Sequence, residues 1–318
     1  VTLRQSLGRA AWAVLIVLFF CLPWLGLPPN RVGLLNHIGL YAILALSLNI
    51  ILGQAGMFHM GHAAFFAVGA YVTAILNTVC GWPVLATLPA AGAAAGVFAV
   101  LVAAPIIHLR GDYLLLVTIG IVEIVRIFLI NDPLGLTGGA NGLIGIARPV
   151  IFDFRITRPH HFFYLIWGFA AVSMLLFHWL ENSRFGRALN FIREDPVAAE
   201  GVGVDTARYK LMAFIIGAVW AGFAGTLYAS YMRTISPGSF SFGESVLMFM
   251  IVILGGSGNQ KGVLAGAFLV VGLPEMFRFL KDSRLMFFGA ALVLMMIFRP
   301  QGLFPPRRRQ YRLPPEAS

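Results

Sequence analysis

Between Arg31 and Arg110 the chain carries no Asp, Glu, Lys or Arg, and four histidines are the only imidazoles in that long interval. No water-facing surface can be built from such a stretch, because a soluble fold needs charged groups to solvate its exterior. A bilayer accepts it, provided that every backbone N–H and C=O is bonded within helices. Composition agrees: 59% of residues are hydrophobic and 11% charged, against about 25% charged in soluble domains. The chain is therefore expected to be an all-α, polytopic integral membrane protein, a single transmembrane domain over residues 1–318.

A membrane-crossing helix needs about 20 mostly apolar residues. Breaks placed at Gly, Pro, Asn and charge clusters give ten segments, at 10–28, 33–52, 60–77, 84–108, 113–130, 162–181, 208–232, 243–257, 262–280 and 284–299. The first follows Arg4 and Arg9, has no clean small-residue cleavage site, and reads as a retained helix. The segments at 60–77 and 243–257 are short and flanked by glycines, so each is either a full span or a re-entrant or broken helix. Cys21 and Cys80 lie in apolar stretches without ligand spacing and read as small hydrophobic residues.

Ten segments put both termini on one side. If that side is the cytoplasm, fourteen Lys and Arg residues fall inside and seven outside, with Arg126 and Arg278 within spans. This is the bias of the positive-inside rule. The net charge of +10 is then explained by lipid headgroups, with Arg307, Arg308 and Arg309 as an anchor in the tail 300–318. Nucleic acid is not needed as a partner.

Two polar insertions remain, an external loop at 131–161 and an internal one at 182–207. In the second, Asp195 is an N-cap residue and Pro196 suits the first helical position, so Pro196 to Glu200 reads as a short helix closed by Gly201 or Gly203. A further helix is expected upstream, from Ser183 to Arg193, with Phe185, Leu189 and either Phe191 or Ile192 on its apolar side. A two-turn helix is unstable alone. It either lies in the headgroups or docks in a cleft of a cytoplasmic partner, with Ala198, Ala199 and Gly201 permitting close approach and Arg193, Glu194 and Glu200 as a polar rim.

The stretch GRALNFIREDPVAAEGVGVDTARYKLMAFIIGAVWAGFAGTLYA resembles the permease signature of ATP-binding-cassette importers, specifically branched-chain amino-acid permeases of the LivM type. The blocks LSLNIILGQAGMFHMGHAAFFAVGAY, LRGDYLLLVTIGIVEIVRI, LTGGANGL and VILGGSGNQKGVLAGA are similar to the same family, and the resemblance runs from about residue 33 to 304. The resemblance implies that 193–203 is the coupling helix that meets an ATPase, which favours docking over the interfacial reading. It also implies an assembly with a second related permease, expected as a heterodimer. Two ATP-binding-cassette ATPases would carry ATP and Mg, and a soluble periplasmic or extracellular binding protein would deliver substrate. No cofactor is expected on this chain. Its expected place is the bacterial cytoplasmic membrane.

Several polar groups lie within the apolar segments. Glu123 and Arg126 share a helix face three residues apart, and intramembrane charges are paired or functional. Mutual neutralisation and substrate contact both remain open, and Glu275 with Arg278 repeats the spacing. The run from Gly53 to His62 holds three glycines, Gln54, Met57 and the pair His59 and His62. It suits close helix packing or a break lining a cavity; without carboxylate or cysteine company it is a poor metal site. The resemblance puts this break near the translocation path. Thr137 and Asn141 of LTGGANGL belong either to a plain turn or to an entrance facing the binding protein.

The segment from Gly255 to Gly262 superficially suggests a phosphate loop, but Gly262 rather than Ser or Thr follows Lys261 and apolar helices flank it. The chain thus offers no ATPase of its own, and no dense cluster of catalytic side chains. Expected is a non-catalytic permease subunit for branched-chain or related neutral amino acids. The competing readings are an ion-coupled secondary transporter using Glu123 and Arg126, or a permease for urea, amides or other amino acids. A pathway lined by small and apolar side chains is expected rather than a charged pocket.

Overall fold

The computed structural model describes residues 20, 23, 26, 28–109, 111–151, 154–276, 284–299 and 302–304. Most of the expected span 10–28, Arg110, the far end of the span 262–280, the Glu275–Arg278 pairing and the basic tail from 305 lie outside the described residues.

Twelve helices are numbered in chain order. They are α1 (Pro29–Asn49), α2 (His62–Thr78), α3 (Leu88–Ile106), α4 (Asp112–Asn131), α5 (Pro159–Asn182), α6 (Arg184–Glu194), α7 (Pro196–Gly201), α8 (Thr206–Met232), α9 (Phe242–Gly255), α10 (Gln260–Ala267), α11 (Leu273–Met276) and α12 (Arg284–Phe298). Among the described residues, six helical stretches are long and apolar enough to cross a membrane, and His62–Thr78 and Gln260–Gly272 are shorter apolar helices. The segment starts at 33 and 162 read from sequence are late, since α1 and α5 open at Pro29 and Pro159. In both cases proline fits the first turn, where its missing N–H costs no bond.

The two ends of the bundle differ. At one, the loop after α4 forms a short antiparallel ladder with the loop after α8, Leu143 opposite Ile235 and Ile144 opposite Thr234. A second pairing joins Val150–Ile151 to Phe154–Arg155. The sequence reading expected no strands; these ladders satisfy loop backbone that the helices cannot reach. At the opposite end lie α6 and α7. The first is called the ladder end and the second the linker end. Asn36 of α1 donates to the Pro159 carbonyl at 3.0 Å, so α1 and α5 start together at the ladder end.

Small residues make the centre. α3 buries Ala91, Gly92, Ala95, Gly96, Ala99 and Ala103, and α8 buries Gly217, Ala218, Ala221, Gly222 and Gly225. A Cβ at Gly222 would lie 2.8 Å from the Ala91 carbonyl oxygen and 2.9 Å from the Ala95 methyl. In lipid, such close backbone approach supplies the dispersion contact that holds helices together. By contrast α4 keeps Leu116, Ile124, Ile127 and Phe128 exposed, an apolar face suited to acyl chains.

α2 starts within the bundle, where Gly61 and His62 are buried. α1 widens into a π-helical turn at Ile50–Gln54, and residues 55–61 are non-helical. The chain then doubles back so that His62, the first residue of α2, lies 2.7 Å from the Ser47 hydroxyl of α1. α9 starts at the same level, its Ser245 hydroxyl accepting from the Ala63 N–H at 3.0 Å. Of the two segments that the sequence left open, 60–77 holds the uninterrupted 17-residue α2, a shorter apolar helix, and 243–257 holds α9, which lies within the stretch Pro237–Gly255 long enough to cross a membrane.

Candidate functional site

At the linker end, local chemistry fixes two short helices. The Ser183 hydroxyl accepts from the Gly186 N–H at 3.3 Å and caps α6. Gly186, Leu189 and Ile192 of α6 are buried, so Ile192 rather than Phe191 completes its apolar side, and Phe185 stacks on Tyr209 with centroids 5.6 Å apart. Asp195 caps α7, one carboxylate oxygen accepting from Val197 N–H at 2.9 Å and Ala198 N–H at 3.0 Å. Gly203, at φ +85, closes the turn.

The outward surface of α7 differs from the expected one. Ala199 is fully buried. It packs the helix down and is corrected out of the docking surface, as is required when a helix this short must bury something to persist. Val197 is 66% and Val202 71% exposed, and with Glu194, Ala198, Glu200 and Gly201 they form the free face. Glu200 also accepts from the Thr206 hydroxyl at 2.6 Å, tying α7 to the start of α8. A side chain at Gly201 would meet open space.

Arg193 is exposed, in keeping with a place on the rim, and its head group reaches back towards α1. Its guanidinium donates to the Gly53 carbonyl of the first helix break, and its other amino group lies 3.5 Å from the Ser257 hydroxyl of the second. The second break is the turn between α9 and α10, where Gly256 and Gly258 take φ of +116 and +86, values that side-chain-bearing residues rarely adopt. Asn49 holds the two breaks together by accepting from the Gly258 N–H at 2.8 Å. Gln54 donates to Glu181 of α5 at 2.8 Å. One guanidinium therefore joins the linker helices to both discontinuities, and five separate elements converge on this junction. Beside it a cavity of about 170 Å³ is lined by Met57, Leu114, Ile192, Arg193, Pro196 and Lys210 among others.

The remaining sequence-predicted residues do not gather here. His59 and His62 are buried, their ring centroids 6.0 Å apart; His59 packs against Phe65 and Phe214. No group of three or more His, Cys, Asp or Glu able to hold a metal occurs among the described residues. Arg126 donates to Glu123 at 2.8 Å on α4, with both side chains about one-third exposed at 33% and 35%. Thr137 lies at the ladder end and donates to the Leu129 carbonyl at 2.9 Å, finishing α4. Its neighbour Asn141 is exposed.

Asp132 organises that turn, its carboxylate accepting from the N–H groups of Leu136, Thr137 and Gly138 at 2.7, 2.8 and 3.1 Å. The Thr137 N–H, foremost among these bonds, holds the Asp132 carboxyl below its ordinary value, and partial desolvation opposes it. Sequence reasoning missed Asn49, Asp132, Glu181, Glu244 and Ser257. Glu181 and Glu244 fell at segment edges, where a charge reads as a boundary; nothing in a linear pattern marks Asn49 or Ser257.

A family profile described as "Branched-chain amino acid transport system / permease component" matches residues 30–298. The chain is 37% identical over 335 residues to the "High-affinity branched-chain amino acid transport system permease protein LivM" of Escherichia coli K12, covering 98% of this chain and 78% of that relative. It is 38% identical over 297 residues to the protein of the same description from Salmonella typhimurium, covering 86% of this chain and 70% of that one. The LivH permease protein of E. coli is similar at 26% over 263 residues, with 74% and 80% covered. No solved structure gives a significant match.

Proposed function

Because the chain belongs to the permease-component family of branched-chain amino acid transport systems, and is a polytopic membrane protein of the LivM type, we propose that it forms the translocation pathway of an ATP-driven importer for branched-chain or related neutral amino acids. In this reading the linker end faces the cytoplasm, both termini lie there, and ten segments cross or enter the bilayer. The excess of Lys and Arg on that side supports it. The chain performs no chemistry itself. ATP and Mg are bound by two partner ATPases, and a soluble binding protein meets the ladder end of a bacterial cytoplasmic membrane complex. A second permease completes the channel; similarity of this chain to both the LivM and the LivH proteins supports a heterodimer of related subunits.

The observation that carries the reading is the pairing of an outward surface with an inward connection. α7 offers Val197, Ala198, Gly201 and Val202 to a partner cleft, and the arginine just before it is bonded to both helix breaks. Displacement of α7 by a closing ATPase pair is thereby delivered to α1, α2, α9 and α10, the elements that flank the two breaks. Alternating access in transporters uses discontinuous helices. Glu123 and Arg126 neutralise one another, which accounts for them without a proton relay.

The test is co-purification of the ATPases with the permease in membranes and ATP-dependent uptake of leucine, isoleucine, valine, urea and acetamide by the reconstituted assembly. Val197→Asp and Gly201→Trp alter only the outer face of α7, while Glu200→Arg also removes the Thr206 bond that ties it to α8. Each is expected to leave the chain inserted and folded while reducing ATPase retention and uptake at least tenfold. Full retention and uptake in all three would remove α7 as the docking element.

A further inference from the structure

Among the described residues, α4 is the least buried of the six stretches long and apolar enough to cross a membrane. Leu116, Ile124, Ile127 and Phe128 are exposed along it. With Gly120, where a Cβ would meet open space, they follow one another at steps of one, three or four residues and share one side of the helix. Such a face alone would suit acyl chains. The exposed side of α3 is of that kind: it shows Val97, Val100 and Leu101, and no ionisable residue lies within Leu88–Ile106.

On α4 the edge of the face is different. Glu123 is three residues from Gly120 and four from Ile127, so it borders them on the helix surface, and Arg126 follows it. The two side chains are about one-third exposed, and they stand twelfth and fifteenth among the 20 residues of the helix. Arg126 spends its Nε–H on Glu123, and no other hydrogen bond holds it among the described residues. A guanidinium has five N–H donors, so pairing cancels the net charge and still leaves four donors unmet. Hydrocarbon has no acceptor for them. An arginine near a helix end can reach forward to the headgroups, but the bond to Glu123 draws this one back along α4, away from the ladder end.

Whatever covers this side must therefore accept hydrogen bonds at one edge and bury aliphatic groups beside it. Lipid meets only the second need, and water only the first. In the importer reading the ATPases and the binding protein lie beyond the two ends of the bilayer. We propose that this face of α4 is the seam with the second permease subunit. Leu116, Gly120, Ile124 and Ile127 pack against one of its membrane helices, and the remaining N–H groups of Arg126 donate to acceptors that the same helix presents. An apolar centre with a polar rim is the anatomy of protein interfaces, and a glycine within it lets two membrane helices come close. The proposal rests on the paired-permease reading and adds to it the surface by which the two chains meet.

The experiment uses the complete assembly in native membranes. Ile124 on α4 or, for comparison, Val97 on α3 is replaced by the photoreactive p-benzoylphenylalanine, and the adducts formed on irradiation are identified by mass spectrometry. Ile124 is expected to capture the second permease several-fold more than Val97. Equal capture from both positions, an adduct of Ile124 chiefly with lipid or with a second copy of this chain, or none with protein would each overturn the seam.

A second readout removes the pair outright, as Glu123→Leu together with Arg126→Leu. An ion pair that only neutralises itself can be exchanged for apolar residues at little or no cost, so a lipid-facing pair predicts a fully competent double variant. The seam predicts a chain that still inserts but retains the second permease several-fold less after detergent extraction. Parental retention in the double variant counts against the proposal. Were the parent chain to carry no second permease, the paired-permease reading would fall and the seam with it; a retained partner that Ile124 never captures sinks the seam alone.

Discussion

Single side chains at the two ends of this bundle do the work of termination. Asp195 was legible from sequence because capping follows local rules: a carboxylate before Pro196 has backbone N–H groups within reach whatever the fold. Asp132 follows similar chemistry, yet a loop residue bonding three later N–H groups has no fixed spacing to read. Its carboxyl is held below the ordinary value of 3.8, so the ionised form is the one the folded turn prefers. The stability it contributes is fully present above that ordinary value and is lost as pH falls through the lower, folded one. Exchange of the amide hydrogens of Leu136 to Gly138, corrected for intrinsic rate, is expected to accelerate below about pH 4. The Asp132→Asn variant should exchange faster at neutral pH and show no such acid step. Ala199 illustrates the opposite limit: alanine suits either a contact surface or a packed one, and only the third dimension assigns it to the inner side.

Helices were read well where they are long and uniformly apolar, as at α1, α3, α5 and α8, and their starts were misjudged where proline lies within the first turn rather than before it. The start of α2 within the bundle could only be suspected. Glycine and histidine around residues 53–62 permit a reversal, but the level at which α2 restarts depends on Ser47 meeting His62, a contact no window of sequence contains. Small residues on α3 and α8 were visible as composition, not as a pairing. Gly222→Leu is expected to separate these helices, costing about 1–3 kcal/mol or misfolding the chain, because the Ala91 carbonyl and the Ala95 methyl occupy the required space. Gly168→Leu on α5, where a Cβ meets nothing within 4 Å, should be tolerated. Thermal aggregation of the detergent-solubilised pair would measure the difference, and equal melting would discount the close packing.

As a whole, the molecule separates a nearly closed small-residue centre, an apolar flank on α4, and two ends of different chemistry. The two short linker helices were legible in the sequence, while the convergence on Arg193 depends on which elements meet. Arg193→Ala is expected to keep ATPases bound and hydrolysing while uptake falls at least tenfold, so that many more nucleotides are consumed per leucine. Arg193→Lys should restore little, since a single ammonium cannot reproduce the planar fork that spans two acceptors. Retained stoichiometry in Arg193→Ala, measured as ATP hydrolysed per leucine accumulated, would show that force travels by another route. The shared guanidinium also bears on timing. Since Gly53 and Ser257 share one group and Asn49 bonds Gly258 besides, the stroke proposed above would carry the two breaks together.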